Sequence, residues 1–154
     1  MDLKAKLATP LLALVLAAGV MPGVSVSTAL ADEGISTAST TDNDVRFYFE
    51  FYGDEYRTMT ASKEDTSASY VYAWDNATEG VFLYVDSYST SYGFVNQTVG
   101  GYAYLGTREG KFAIHQNVYE NGFRLASLRG MSNSAGHLYG DWSADSWGSY
   151  ESLN

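Results

Sequence analysis

The sequence predicts an all-β protein, a single antiparallel β-sandwich or small barrel that follows a removable export signal. Three observations carry that expectation. Apolar and polar residues alternate at period two through several runs. The separators between those runs are rich in Gly, Asn, Asp and Ser, the residues that turns require. No window of helical length shows an i, i+3, i+4 apolar stripe flanked by caps.

The first element is the signal. Lys4 and Lys6 form a short positive region, and Leu7 to Met21 is apolar apart from Thr9, Pro10 and Gly19. Ala29-Leu30-Ala31 then offers the small residues a signal peptidase inspects, so residues 1–31 read as a signal peptide cleaved before Asp32. The apolar run is short for a membrane span and Pro10 interrupts it. The closing residues Glu151 to Asn154 form no apolar tail, and no Cys follows the apolar segment. No stable membrane anchor is therefore expected, and the expected location is secreted, extracellular.

Residues 32–44 are mostly Ser, Thr, Asp and Asn and read as a flexible polar leader. The sandwich domain is expected over 45–154. In its first run Val45, Phe47, Phe49 and Phe51 share one face, and Arg46, Tyr48, Glu50 and Tyr52 the other. Further strands are expected at Ser69–Trp74, Gly80–Tyr88, Tyr92–Val95, Gly101–Leu105, Lys111–Tyr119, Phe123–Leu128 and His137–Trp142. Asn121-Gly122 is the dipeptide of a type I′ hairpin, because both residues tolerate positive φ, and Arg108-Glu109-Gly110 suits a second hairpin. The expected core contains Phe47, Phe49, Phe51, Val81, Leu83, Val85, Phe112, Ile114 and Trp142. Leu138, Gly140 and Trp142 share a face, so Trp142 is expected to be buried. Trp147, five residues on, is expected to be exposed.

Composition narrows the function. Removing 31 of 154 residues leaves 123, enough for one domain with one core. Removing Asp2, Lys4 and Lys6 from 9 basic and 18 acidic residues leaves 7 and 17, a net charge of −10. Such a chain does not suit nucleic acid or an anionic membrane surface. There is no Cys, which excludes disulfides and zinc–thiolate sites. The 3 Trp, 13 Tyr and 7 Phe all lie beyond residue 31, a load that can build a dense core without cross-links.

Groups that could carry chemistry are scattered. His115 and His137 form neither an HxH nor an HExxH pattern, so no metal is expected, and no cofactor-binding pattern is present. Thr60-Ala61-Ser62-Lys63 places a hydroxyl three residues before a lysine, but that motif needs a helix to align the two groups, and none is expected here. Asp42-Asn43-Asp44 lacks the spacing of a calcium loop. Lys63-Glu64-Asp65 reads as a solvated turn. Asn76-Ala77-Thr78 and Asn96-Gln97-Thr98 match the N-glycosylation acceptor pattern. The protein is not expected to be an enzyme.

Three segments carry a resemblance: Lys63-Glu64-Asp65-Thr66-Ser67-Ala68-Ser69-Tyr70 preceded by Arg57, Gly122-Phe123-Arg124-Leu125-Ala126, and Gly140-Asp141-Trp142-Ser143-Ala144-Asp145-Ser146. In these the chain resembles a family of small uncharacterised secreted proteins of Gram-positive bacteria, whose closing segment is of the type Gly-x-Trp-Ser-Pro-Asp-Ser. It departs from that pattern at Ala144, where the family has Pro. In size and export it is also distantly similar to lactococcin-type sandwich bacteriocins. The resemblance implies no catalytic residues. The expected function is a secreted, non-catalytic interaction protein of bacteriocin-like character, meeting a cell-surface protein or glycan. The alternative is a wall- or glycan-binding module. In either case the candidate contact residues are Tyr70, Tyr72, Tyr84, Tyr102, Tyr104 and Trp147.

Overall fold

Thirteen strands and no helix are found among the residues that the computed structural model describes, which are 44–154 and the strand backbones of Ile35–Ser36 and Thr40–Thr41. In chain order they are β1 (Ile35–Ser36), β2 (Thr40–Thr41), β3 (Asp44–Phe51), β4 (Glu55–Thr58), β5 (Ala61–Ser62), β6 (Ser69–Asn76) and β7 (Val81–Ser89). There follow β8 (Gly93–Asn96), β9 (Ala103–Gly106), β10 (Gly110–Ile114), β11 (Leu125–Ser132), β12 (Gly136–Ser143) and β13 (Glu151–Ser152). The first sheet runs β1-β4-β11-β7-β8, with β5 also on β11 and β9 also on β7. The second runs β13-β10-β6-β12-β3-β2. The two sheets pack as a sandwich and do not close into a barrel. Most pairs are antiparallel. The exceptions are β1 with β4 and β10 with β13, which are parallel and lie at sheet edges.

All nine expected core residues are buried. In β3 the period-two pattern places Phe47, Phe49 and Phe51 inside as one aromatic row, with ring centroids 4.7 and 6.0 Å apart. Tyr56 of β4, in the opposite sheet, meets Phe51 at 5.6 Å. Each such Phe contributes about 1.5–3 kcal/mol by leaving water. Two glycines let the layers close. A Cβ at Gly130 of β11 would stand 2.7 Å from the Phe49 ring, and one at Gly140 of β12 would stand 2.4 Å from the Tyr72 carbonyl oxygen.

Both expected hairpins are absent. Lys111–Tyr119 forms a strand only as far as Ile114, in the second sheet, while β11 lies in the first. Asn121-Gly122 instead closes a turn that carries the chain between sheets. The Phe123 N–H donates to the Val118 carbonyl and the Gly122 N–H to the Tyr119 carbonyl, with Gly122 at φ 82°, the bonding of a Schellman motif. Positive φ is what the dipeptide supplies, and both motifs use it. Likewise Arg108-Glu109-Gly110 links β9 of the first sheet to β10 of the second, with the Arg108 Nε donating to the Leu105 carbonyl at 2.9 Å. The chain makes a close hairpin at β7–β8, through Ser89 opposite Gly93. Besides the two strands in the expected leader, three lie in segments not read as strands: β4, β5 and β13 are short and polar, with no alternation to betray them.

The expected signal, residues 1–31, and Asp42-Asn43 lie outside the described residues. Within 32–44, expected to be a flexible leader, β1 pairs with β4, and β2 pairs with β3.

Candidate functional site: an aromatic face and a buried lysine

The outer face of the second sheet gathers aromatic rings from three adjacent strands. Tyr48 on β3 stands directly opposite Tyr139 on β12. On β6 the register shifts between Tyr139 and Gly140, so that Trp74 is an extra residue in its ladder. Such a bulge re-aims side chains, and here both Trp74 and Asp75 reach the outer face. The Tyr48, Trp74 and Tyr139 rings lie 5.2–6.0 Å apart; Tyr48 meets both others edge to face, and Trp74 is tilted against Tyr139. His137 stacks on Tyr139 at 4.4 Å, its Nε2 3.1 Å from Asp75 Oδ1. The Tyr139 hydroxyl donates to Glu50, and that bond, with burial and the Glu50 and Asp75 charges behind it, pushes the phenol up to about 12. Among the described residues neither Glu50 nor Asp75 has a Lys or Arg partner. The patch is therefore aromatic at its centre and acidic beside it.

The six residues expected at a contact surface do not share one. Tyr70 and Tyr72 extend the outer face of the second sheet. Tyr70 packs 4.8 Å from Tyr150 and is pushed up to about 12, chiefly by burial, and Lys111 Nζ lies 5.5 Å from the Tyr72 ring. Tyr84, Tyr102 and Tyr104 lie on the first sheet, because β6 and β7, though consecutive, belong to different layers. There Tyr102 and Tyr104 flank Phe82 at 5.3 and 5.0 Å, and Arg129 covers Tyr84 at 4.0 Å. Phe82 and Tyr104 also wall a shallow cleft of about 230 Å³ with Glu79, Gly80, Asn133 and Ser134. Trp147 stands apart on the C-terminal segment, 87% exposed and without ring contacts among the described residues. The sequence reading missed Trp74, His137 and Tyr139 as partners. Their one signal was the polar side of β3, where Tyr48 and Glu50 alternate with the core phenylalanines.

A second constellation overturns the reading of Lys63-Glu64-Asp65 as a solvated turn. The Lys63 side chain is completely buried. Its Nζ donates to Asp145 Oδ1 at 2.6 Å and to the Ser67 carbonyl at 2.5 Å, with Asp65 Oδ1 at 3.8 Å. The other Asp145 oxygen accepts the Glu64 N–H at 3.0 Å. Ser67 bonds in turn to Asp65, Gln116 and the Ser146 N–H. Hydrogen bonds from Ser67 are the main cause that holds the Asp65 carboxyl below its usual range. Two of the three resemblance segments thus meet in space, one supplying the lysine and the other the aspartate.

The remaining motifs resolve as structure. Asn76 Oδ1 accepts the N–H and hydroxyl of Thr78, and Asn96 Oδ1 accepts the N–H of Thr98; both amides also donate to loop carbonyls. Both acceptor sequences are therefore Asx turns whose side chains are already engaged. His115 lies in the loop after β10, far along the chain from His137, and its backbone bonds to the Asn154 side chain. Ser62 lies in β5. Among the described residues no group of three or more His, Asp or Glu side chains is placed to hold a metal, and no helix is long and apolar enough to cross a membrane.

These features define a small all-β sandwich with an aromatic outer face. Over residues 34–146 the chain matches the family described as a protein of unknown function, DUF2712, and it belongs to that family. Neither the comparison with curated proteins nor that with solved structures finds a match.

Proposed function

We propose that the chain is an exported, non-catalytic interaction protein that recognises a cell-surface protein or glycan through the outer face of the second sheet, acting on neighbouring cells as a bacteriocin does. The observation that supports this most is the Tyr48–Trp74–Tyr139 cluster. None of the three rings belongs to the buried core, and Tyr48 is 44% exposed. Contiguous exposed aromatic surface marks interaction sites, and Tyr and Trp dominate binding hot spots. The non-catalytic part of the reading rests on the scatter of His, Ser and acidic residues, the His137–Asp75 contact lying on an open face.

The test is growth inhibition of related bacteria by the purified protein. Trp74→Ala should abolish inhibition while the protein stays folded, with only the modest loss of stability that two aromatic contacts carry, about 0.5–1.5 kcal/mol each. Inhibition unaffected by Trp74→Ala would remove this face from the mechanism. The cleft walled by Phe82 and Tyr104 favours a second reading, a wall-glycan module, since an aromatic wall with a polar rim suits a sugar ring. Under that reading the protein binds sacculi without inhibiting growth, and Tyr104→Ala, not Trp74→Ala, weakens binding.

A further inference from the structure

The Lys63–Asp145 contact is placed for more than an ion pair. A buried ammonium is costly to hold away from water, and here it is held against one carboxylate. Lys63 has no exposed surface and Asp145 little. Transfer of one proton along the 2.6 Å hydrogen bond leaves a free amine lone pair beside a carboxylic acid. An amine that close to one carboxyl oxygen has the carboxyl carbon within about 3.5 Å, a near-attack distance. The Glu64 N–H on the second oxygen polarises that carbon and holds it in place. Asp65 completes the set. Its carboxylate lies 3.8 Å from Nζ and its side chain is 57% exposed, which gives protons and water a route out.

We propose that Lys63 and Asp145 condense into an intramolecular isopeptide bond, with Asp65 as the proton acceptor. The Lys63 nitrogen adds to the Asp145 carbonyl carbon. Asp65 takes the proton released by the nitrogen and returns it to the departing hydroxyl. The C–N bond forms, the C–OH bond breaks, and one water leaves. Nothing is oxidised or reduced, and Asp65 ends as it began. Effective molarities between groups held this close exceed any that solution offers, which is what drives amide formation here. The cross-link spans a separation of 82 residues and ties the loop after β5 to the segment after β12, in a chain that has no cysteine for the purpose.

Peptide mapping of the purified full chain tests this. The expected product is a branched peptide joining the Lys63 and Asp145 segments, lighter by one water than their sum, with trypsin failing to cut after Lys63. Lys63→Arg keeps the cation but has no nucleophilic amine, and should give linear peptides only. Asp65→Asn, at an exposed position that leaves the pair intact, should greatly reduce the branched yield. Linear peptides alone from the unaltered protein, even after prolonged incubation, would overturn the proposal and leave an ion pair. Full branched yield from Asp65→Asn would overturn the role given to Asp65.

Discussion

Asp86 receives Arg129 through both carboxylate oxygens, Nε to Oδ2 at 2.7 Å and Nη2 to Oδ1 at 3.3 Å, on the outer side of the first sheet. Arg57 adds a third bond, to Oδ2 at 2.8 Å. The period-two pattern of β7 puts Asp86 outward with Phe82, Tyr84 and Tyr88, yet its side chain is only 2% exposed. The guanidinium groups cover it, and Phe94 and Tyr84 lie 4.2 and 4.0 Å from them.

Removing Asp86 leaves two cations facing each other with only the half-exposed Glu55 as counter-charge. Breaking a buried pair typically costs about 3–5 kcal/mol; the arginines reach solvent here, which favours the lower end. Asp86→Ala should therefore lower stability in denaturant by roughly 3 kcal/mol, and Asp86→Asn, which keeps one acceptor, by less. Equal effects would show that the negative charge, and not the remaining acceptor, is what Asp86 supplies.

Trp142 and Trp147 should separate cleanly. Trp142 is 0% exposed and Trp147 87%. Trp142→Ala should cost about 3–5 kcal/mol, and Trp147→Ala should stay within about 0.5 kcal/mol. The buried Trp142 indole N–H has no hydrogen-bond partner among the described residues. Trp142→Phe should therefore cost clearly less than Trp142→Ala, since it also removes an unpaired donor. Thermal melts of the three variants decide this.

Alkaline stability should report on Tyr70 and Tyr139. Both phenols titrate near 12 in the folded chain, against about 10 unfolded. A raised folded pKa means that the folded state holds its proton longer. The contribution is whole below pH about 10 and is lost as pH rises toward about 12. Melting temperature should fall across that window, and less steeply in Tyr70→Phe, while phenolate absorbance shows late-titrating tyrosines in the fold, Tyr56, whose phenol burial also raises, among them. An unchanged slope in Tyr70→Phe would remove its part.

Much of the strand content was legible, because alternation is a local property. The side-chain parity of β3, β7 and β12 was readable before any pairing was known, and with it the burial of Phe47, Leu83 and Trp142. The candidate site was legible only in part. Tyr70 and Tyr72 were read as outward-facing, but Trp74 joins Tyr48 and Tyr139 through a bulge that no residue pattern announces.

By itself, then, the sequence determined that the chain is β-rich, where most strands lie, and which side of each strand is apolar, since these depend on neighbours two residues away. The tertiary structure decided which layer each strand enters. Asn121-Gly122 and Arg108-Glu109-Gly110 could close hairpins or carry the chain across the sandwich, and long-range pairing chose the crossing. That choice placed Tyr70 and Tyr84 on opposite faces. It also turned a charged loop inward, because only the folded chain brings Asp145 to Lys63 and supplies the carboxylate that lets a lysine leave water.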